Sequence, residues 1–262
     1  MKPTGKDRRG VLKTQFTTIG AGLFLVLCSL VVADKWDSSC QMKVNSWDGR
    51  FYAAITPSSD PATSNSPPTA AVFRSGEEYP VLWRVSLRND DMPVAAFLSP
   101  DGRNLVTLDD WGCIGRGTNV LVMYRQEGKS KGYDLETLLG RTTAELTTLF
   151  EHSVSSRLWD EQYVPLWGTI DGEQAFGLWL AWRRRWLFVR ANDGTLLQSP
   201  SNDALDHWNS AAEKRARSVV SGKDARLVTA LQSSSETPVV RYRRAILAGA
   251  KAFLRERRSP KK

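Results

Sequence analysis

The strongest constraint on this chain is a turn that it uses twice. Ser46-Trp47-Asp48-Gly49-Arg50 runs into the apolar stretch 51–56, and Ser99-Pro100-Asp101-Gly102-Arg103 runs into residues 105–108. Glycine accepts positive φ without steric cost, and a short acid side chain can bond its own backbone, so each Asp-Gly reverses the chain. The apolar residues behind it are then committed to a sheet. Asp-Gly recurs at Asp171-Gly172 and Asp193-Gly194, again beside runs rich in Leu, Phe, Val and Trp. The body therefore reads as a succession of hairpins.

Between the first two turns lies 57–69, a Pro- and Ser-rich stretch that can neither join a ladder nor pack a core, and it reads as a solvent loop. Val81, Trp83, Val85 and Leu87 then alternate with polar neighbours, the period of a half-buried strand. Residues 93–98 and 120–124 are apolar at successive positions, as in strands covered on both faces. Together with 105–108 these segments read as one central sheet, and Gly112, Gly115 and Gly117 allow the loop behind it. Asp134 caps a short helix over 135–139 with Gly140 as its stop, and Thr142 with Glu145 has the capping-box spacing. Strands resume at 163–170, 175–182, 186–190 and 195–198. Beyond Ser199 the period changes: Leu205, Trp208, Ala212, Ala216 and Val219 define one helix, Leu227, Val228 and Leu231 a second piece. Thr237-Pro238 opens a third, with face Val239, Tyr242, Ile246, Gly249 and Phe253.

The expected fold class is mainly β, an irregular antiparallel body of propeller-like or sandwich form, with short helices and a C-terminal helical segment. Residues 1–33 form a signal peptide or signal-anchor helix, 34–200 the β-rich extracytoplasmic domain, and 201–262 a basic helical segment. Lys2, Lys6, Arg8, Arg9 and Lys13 precede a stretch without charge over 16–33. Two fates are open to it. Val31-Val32-Ala33 offers the small residues that a signal peptidase prefers, and 18 residues from Phe16 to Ala33 are enough for an uncleaved anchor. Either fate exports the body to the periplasm or the cell surface, and retention would add the membrane as a partner.

The formal charge of +8 sits at the ends. Residues 1–33 carry +4 and residues 241–262 carry +8, which leaves −4 on 34–240. Nucleic acid is thus not the expected partner of the body; an unknown protein or envelope component is. Outside the cytoplasm paired cysteines persist. Cys40 and Cys113 are then the candidate disulfide, closing a loop of about 70 residues and contributing about 4 kcal/mol in the chain-entropy picture.

Candidate chemistry is sparse. The chain has two histidines, His152 and His207. His152 with Ser153 and Asp110 would make a hydrolase-like set, without the Gly-x-Ser-x-Gly elbow that such chemistry often carries. The spacing needed for a metal site or a phosphate-cradling loop is missing, and no cofactor is expected. Trp182, Arg183, Arg184 and Arg185 form the densest aromatic and basic cluster, able to offer cation-π and bidentate contacts to an anionic ligand. The basic face of the last helix, Arg241, Arg244, Lys251, Arg255 and Arg258, is suited to a polyanion or an anionic membrane surface.

Ser99-Pro100-Asp101-Gly102-Arg103 resembles the turn-and-strand of β-propeller blades, including those of TolB-like and WD-repeat proteins. The Asp-Gly turns at 48, 101, 171 and 193 are spaced by 53, 70 and 22 residues, away from the ~40–45 of regular blades, which points to an irregular sheet. A longer pattern over about residues 80–160 includes Val106-Thr107-x-Asp109-x-Trp111, Gly115-x-Gly117-x-Asn119-Val120 and His152-Ser153-x-Ser155-Ser156. It resembles a loose group of uncharacterised bacterial exported β-rich proteins, which implies export and a β-rich body. The resulting expectation is a non-enzymatic exported interaction or structural module, with the His152 hydrolase as the alternative.

Overall fold

A computed structural model describes residues 41–57, 66–76, 80–110, 114–149, 163–223 and 238–258. The chain is mainly β, with three antiparallel sheets of four strands. The first sheet holds β1 (Met42–Asn45), β2 (Phe51–Thr56), β3 (Thr69–Arg74) and β4 (Trp83–Ser86). The second holds β5 (Pro93–Leu98), β6 (Asn104–Asp110), β7 (Leu121–Arg125) and β8 (Ser130–Tyr133). The third holds β9 (Tyr163–Ile170), β10 (Glu173–Leu180), β11 (Arg185–Arg190) and β12 (Leu196–Leu197). Each is a meander in which neighbours in sequence are neighbours in space. The expected single central sheet is thus corrected: residues 83–86 close the first sheet, and 93–98, 105–108 and 120–124 belong to the second.

Burial gives the reason for that partition. In β4, Trp83 is buried while Arg84 and Ser86 are exposed, the pattern of a sheet with one covered face. Every residue of β5 and β6 is buried, because the second sheet has a neighbour on each side. Towards the first sheet, the Trp83 indole N–H donates to the Gly102 carbonyl at 2.7 Å. The two related turns also meet there. Arg50 Nη2 donates to the Pro100 carbonyl at 3.2 Å, and a Cβ on Gly102 would lie 2.8 Å from the Phe51 ring. Gly102 therefore supplies both the positive φ of its turn (+71°) and the room for the neighbouring aromatic.

Both turns are built alike. In the first, Ser46 Oγ donates to Asp48 Oδ1 at 2.8 Å and accepts from the Phe51 N–H at 3.0 Å. In the second, Ser99 Oγ donates to Asp101 Oδ1 at 2.6 Å and accepts from the Asn104 N–H at 2.9 Å. The acid in each also accepts a backbone N–H two residues on, from Arg50 and from Arg103. Serine and aspartate thus satisfy the amides that the reversal leaves unpaired.

Towards the third sheet, Phe97 stacks on Phe176 at 5.3 Å and meets Tyr163 edge-on at 6.0 Å. At the other end of the hairpins, Tyr133 OH donates to the Gly194 carbonyl at 2.6 Å and Arg125 donates to the Asn192 carbonyl. The short helices α1 (Leu135–Leu139) and α2 (Thr143–Leu149) follow β8. Asp134 accepts the Thr137 N–H, Gly140 takes the left-handed cap, and Glu145 accepts the Thr142 N–H at 2.9 Å, all as the sequence predicts.

The far face of the third sheet is covered by helices. Its residues Gly168, Ile170, Ala175, Gly177 and Phe188 receive Trp208 of α3 (Asn202–Val220). A Cβ on Gly177 would sit 2.5 Å from Trp208 Cζ2, and one on Gly168 would sit 3.0 Å from Cζ3. The two glycines make the slot and the indole fills it, a packing whose loss on Trp→Ala costs about 3–5 kcal/mol in typical cores. Asp171 fixes where α3 starts by accepting both the Ser201 hydroxyl, at 2.6 Å, and the Ser201 N–H.

Helix α4 (Pro238–Arg258) begins where Thr237-Pro238 places it. Its Ile246, Ala250 and Phe253 are buried, and Phe253 meets Trp179 at 5.1 Å and Trp186 at 5.9 Å. The helical segment and the sheets belong to one compact unit, 37–262. Among the described residues, no helix is long and apolar enough to cross a membrane. The expected signal at 16–33 and the helical piece around Leu227 lie outside the described residues.

Gly249 brings α4 onto the start of β9, since a Cβ there would fall on the Tyr163 carbonyl oxygen and backbone nitrogen. Alanine is the better helix former by about 1 kcal/mol, yet backbone cannot swing aside as a side chain can. Gly249→Ala should therefore destabilise by about 1–3 kcal/mol, read as a lower midpoint in thermal or urea unfolding, while Lys251→Ala on the exposed side leaves the midpoint unchanged.

Candidate functional site

Two regions bring candidate residues together. The first lies at the end of the β10–β11 hairpin, where Ala181, Trp182, Arg183 and Arg184 make the turn. The sequence places Trp179, Trp182 and Trp186 around three arginines, and the structure divides them. Trp179 is buried and Trp186 half-buried against Phe253, whereas Trp182 remains 43% exposed. The Arg183 guanidinium lies 5.6 Å from the Trp182 ring centroid, and its Nη1 donates to the Leu139 carbonyl at 2.7 Å. That carbonyl is one of the unpaired acceptors at the end of α1. Arg184 and Arg185 are exposed.

Arg184 has φ +52°, a left-handed conformation that costs a non-glycine residue on the order of 1–2 kcal/mol. Most positions of this kind among the described residues hold glycine, as at Gly49, Gly102 and Gly194, and the other two non-glycine cases are the short acids Asp109 and Asp171. Burial, and then the charges of Arg185 and Arg141, hold the Arg183 guanidinium below its ordinary range. The arginines therefore crowd one another, a surplus of positive charge that an anion would relieve.

A cleft of about 650 Å³ opens beside this turn. Arg183, Arg184, Arg185 and Arg257 line it together with one acid, Glu256. Its apolar lining includes Trp186, Leu187, Leu197, Leu205 and Phe253. Asn209 on α3 accepts the Trp186 indole N–H at 2.9 Å and holds that ring against the helices. Arg257 comes from α4, so the fold brings the three-arginine turn and the basic C-terminal helix to one cleft. Sequence spacing carries no sign of that convergence, because more than 70 residues separate Arg183 from Arg257.

The second region surrounds the end of β6. Asp109 is fully buried with φ +51° and accepts the Gly115 N–H at 2.6 Å. Asn89 organises the neighbourhood: its Oδ1 accepts from Thr107 Oγ1 at 3.0 Å and Tyr124 OH at 3.1 Å, and its Nδ2 donates to the Asp109 carbonyl. Tyr124 OH also accepts the Arg88 N–H at 2.7 Å. Burial raises the Tyr124 phenol to about 12, so it acts as a neutral structural donor. Asp110 is 8% exposed, and burial, reinforced by the nearby charge of Asp90, pushes its carboxyl up to about 6. Hydrogen bonds from Asn89 and the backbone of Asp90 and Asp91 offset only part of that rise.

Of the hydrolase candidates, Asp110 alone falls among the described residues; His152 and Ser153 lie outside them, as do Cys40 and Cys113. No cluster among the described residues has the three or more His, Cys, Asp or Glu ligands a metal would need. His207 is exposed on α3 beside a second cavity of about 560 Å³. Compared with protein-family models, curated proteins and solved structures, the chain matches none.

The Asp110 shift has a definite sign. Its pKa is raised on folding, from about 3.8 to about 6, so the folded state takes up a proton before the unfolded chain does. The stability this group contributes is fully present below about pH 3.8 and is lost as the pH rises through about 6. Between pH 7.5 and pH 5, Asp110→Asn should remove a rise in stability on acidification of about 1.4 kcal/mol. The check is the difference in urea midpoint between the two proteins at each pH.

Proposed function

We propose that this protein is an exported, non-enzymatic interaction module that binds an anionic ligand in the arginine-rimmed cleft. One observation carries the reading: Arg183, Arg184, Arg185 and Arg257, from two distant parts of the chain, line one cleft with Glu256 as their sole acidic companion among its lining residues. Guanidinium groups offer paired donors that match carboxylate, sulfate and phosphate. Holding Arg184 in a left-handed turn and Arg183 against neighbouring cations costs stability, and strain of this kind gathers at binding sites. The three sheets serve as a rigid support for the turn, and export follows from the charge-flanked apolar stretch at 16–33. Partners at the envelope carry anionic groups in abundance, whereas the body's own charge of −4 disfavours nucleic acid.

The reading is tested with soluble polyanions, inorganic polyphosphate and a sulfated glycan, titrated into the full chain with tryptophan fluorescence as readout. Arg183→Glu/Arg185→Glu should weaken binding at least tenfold and flatten its dependence on salt. Arg103→Glu, in the turn between β5 and β6, should leave it unchanged. Equal binding by all three proteins would remove the cleft from the function.

A further inference from the structure

Building on the anion-binding reading of the same cleft, we propose that its ligand is a single-chain amphiphile, with a phosphate head held by the Arg183–Arg185 turn and an alkyl chain lying on the apolar lining. The cleft combines positive charge with volume. A site for an extended polyanion needs only a charged surface, and a site for inorganic phosphate needs little volume. This cleft places about 650 Å³ directly beside the guanidinium groups, within the ~300–1,000 Å³ of small-molecule sites.

Its apolar part is incompletely covered. Leu197, Leu205 and Trp186 pack at the edge of the Trp208 core yet stay only half-buried. Elsewhere on the same face, Ile170 and Ala175 are buried under α3. The strip that α3 leaves open leads to the arginine turn, since both line one cleft. Burying that strip under an alkyl chain removes the apolar surface from water, while the head group neutralises cations that otherwise repel one another.

Arg184 supplies a second, independent reason. Glycine would relax the left-handed turn, and glycine takes that conformation at Gly49, Gly102, Gly172 and Gly194; besides Arg184 the non-glycine residues that adopt it among the described ones are Asp109 and Asp171, whose short polar side chains tolerate it. Keeping arginine there retains a third guanidinium on the rim at a cost to the fold. Three adjacent guanidinium groups suit a head with three oxygens and up to two charges.

The test uses the full chain and monoalkyl phosphates of four to twelve carbons, each below its micelle concentration, with tryptophan fluorescence and calorimetry as readouts. Affinity should rise about fourfold per methylene and level off once the chain exceeds the cleft. Inorganic phosphate should bind at least a hundredfold more weakly than the dodecyl ester, and alkyl trimethylammonium of the same length should not compete. Arg184→Gly should raise the thermal midpoint and weaken the dodecyl ester at least fivefold. Leu205→Gln should reduce the gain per methylene without altering phosphate binding. An affinity independent of chain length, equal binding of the cationic amphiphile, or an Arg184→Gly protein with undiminished affinity would each overturn the assignment. If polyphosphate binding still depends on Arg183 and Arg185 in that case, the anion-binding reading stands and only the amphiphile is lost. If it does not, both fail.

Discussion

The rest of the structure depends on how the outer face of the third sheet is covered. Three consecutive meanders can stack, and each inner face is then sealed by the next sheet, but the last sheet has no successor. Here Trp208 enters the gap. Gly168 and Gly177 lie opposite one side of the indole and leave no Cβ in its way, so one aromatic ring joins helix to sheet over its full area. The position of α3 then fixes that of α4, whose Phe253 reaches Trp179 and Trp186. The cleft is the part of this face that the two helices do not seal. Scaffold and candidate site are therefore consequences of a single packing problem.

Much of this was legible in the sequence, and the reasons are local. Asp-Gly turns, alternating Val and Trp, the cap at Asp134 and the start at Pro238 each act within a few residues, and all appear where they were expected. The partition into three sheets was not legible. The turns at Asp48, Asp101 and Asp171 each close the first hairpin of a sheet, whereas Asp193-Gly194 joins the last two strands of the third. Mixing the two kinds of turn hides the repeat. Insertions hide it further: the Pro-rich loop lies within the first sheet, and α1 and α2 follow the second. The site was half legible. Three adjacent arginines are conspicuous in one dimension, but their meeting with Arg257 depends on tertiary packing that no spacing encodes. Asp110 looked like a candidate acid beside an aromatic, and its depth of burial depends on the sheets on either side of it.

Two of the costly features differ in character. Around Asn89 the polar groups form a closed set of donors and acceptors linking Thr107, Tyr124 and the Asp109 carbonyl. This region holds the connection from the first sheet to the second, and its buried acids are the expense of that crossing. At the β10–β11 turn Arg183 is tied to the Leu139 carbonyl, while Arg184 and Arg185 beside it stay exposed. A satisfied network specifies a fold; exposed like charges leave interaction energy for something else to supply.

The meander topology has a consequence for how the chain is made. Each sheet is one uninterrupted stretch, 42–86, 93–133 and 163–197, so a chain emerging from its N-terminus can complete the first two by local pairing alone. The third can pair its strands as early, and α3 soon brings Trp208 onto Phe188 and Trp186, but Trp179 lacks its partner Phe253 until α4 has appeared, about sixty residues beyond β12. During that interval the growing polypeptide displays an aromatic surface with no cover of its own. The last-made helix thus ends the period in which the nascent chain is most prone to stick to its neighbours.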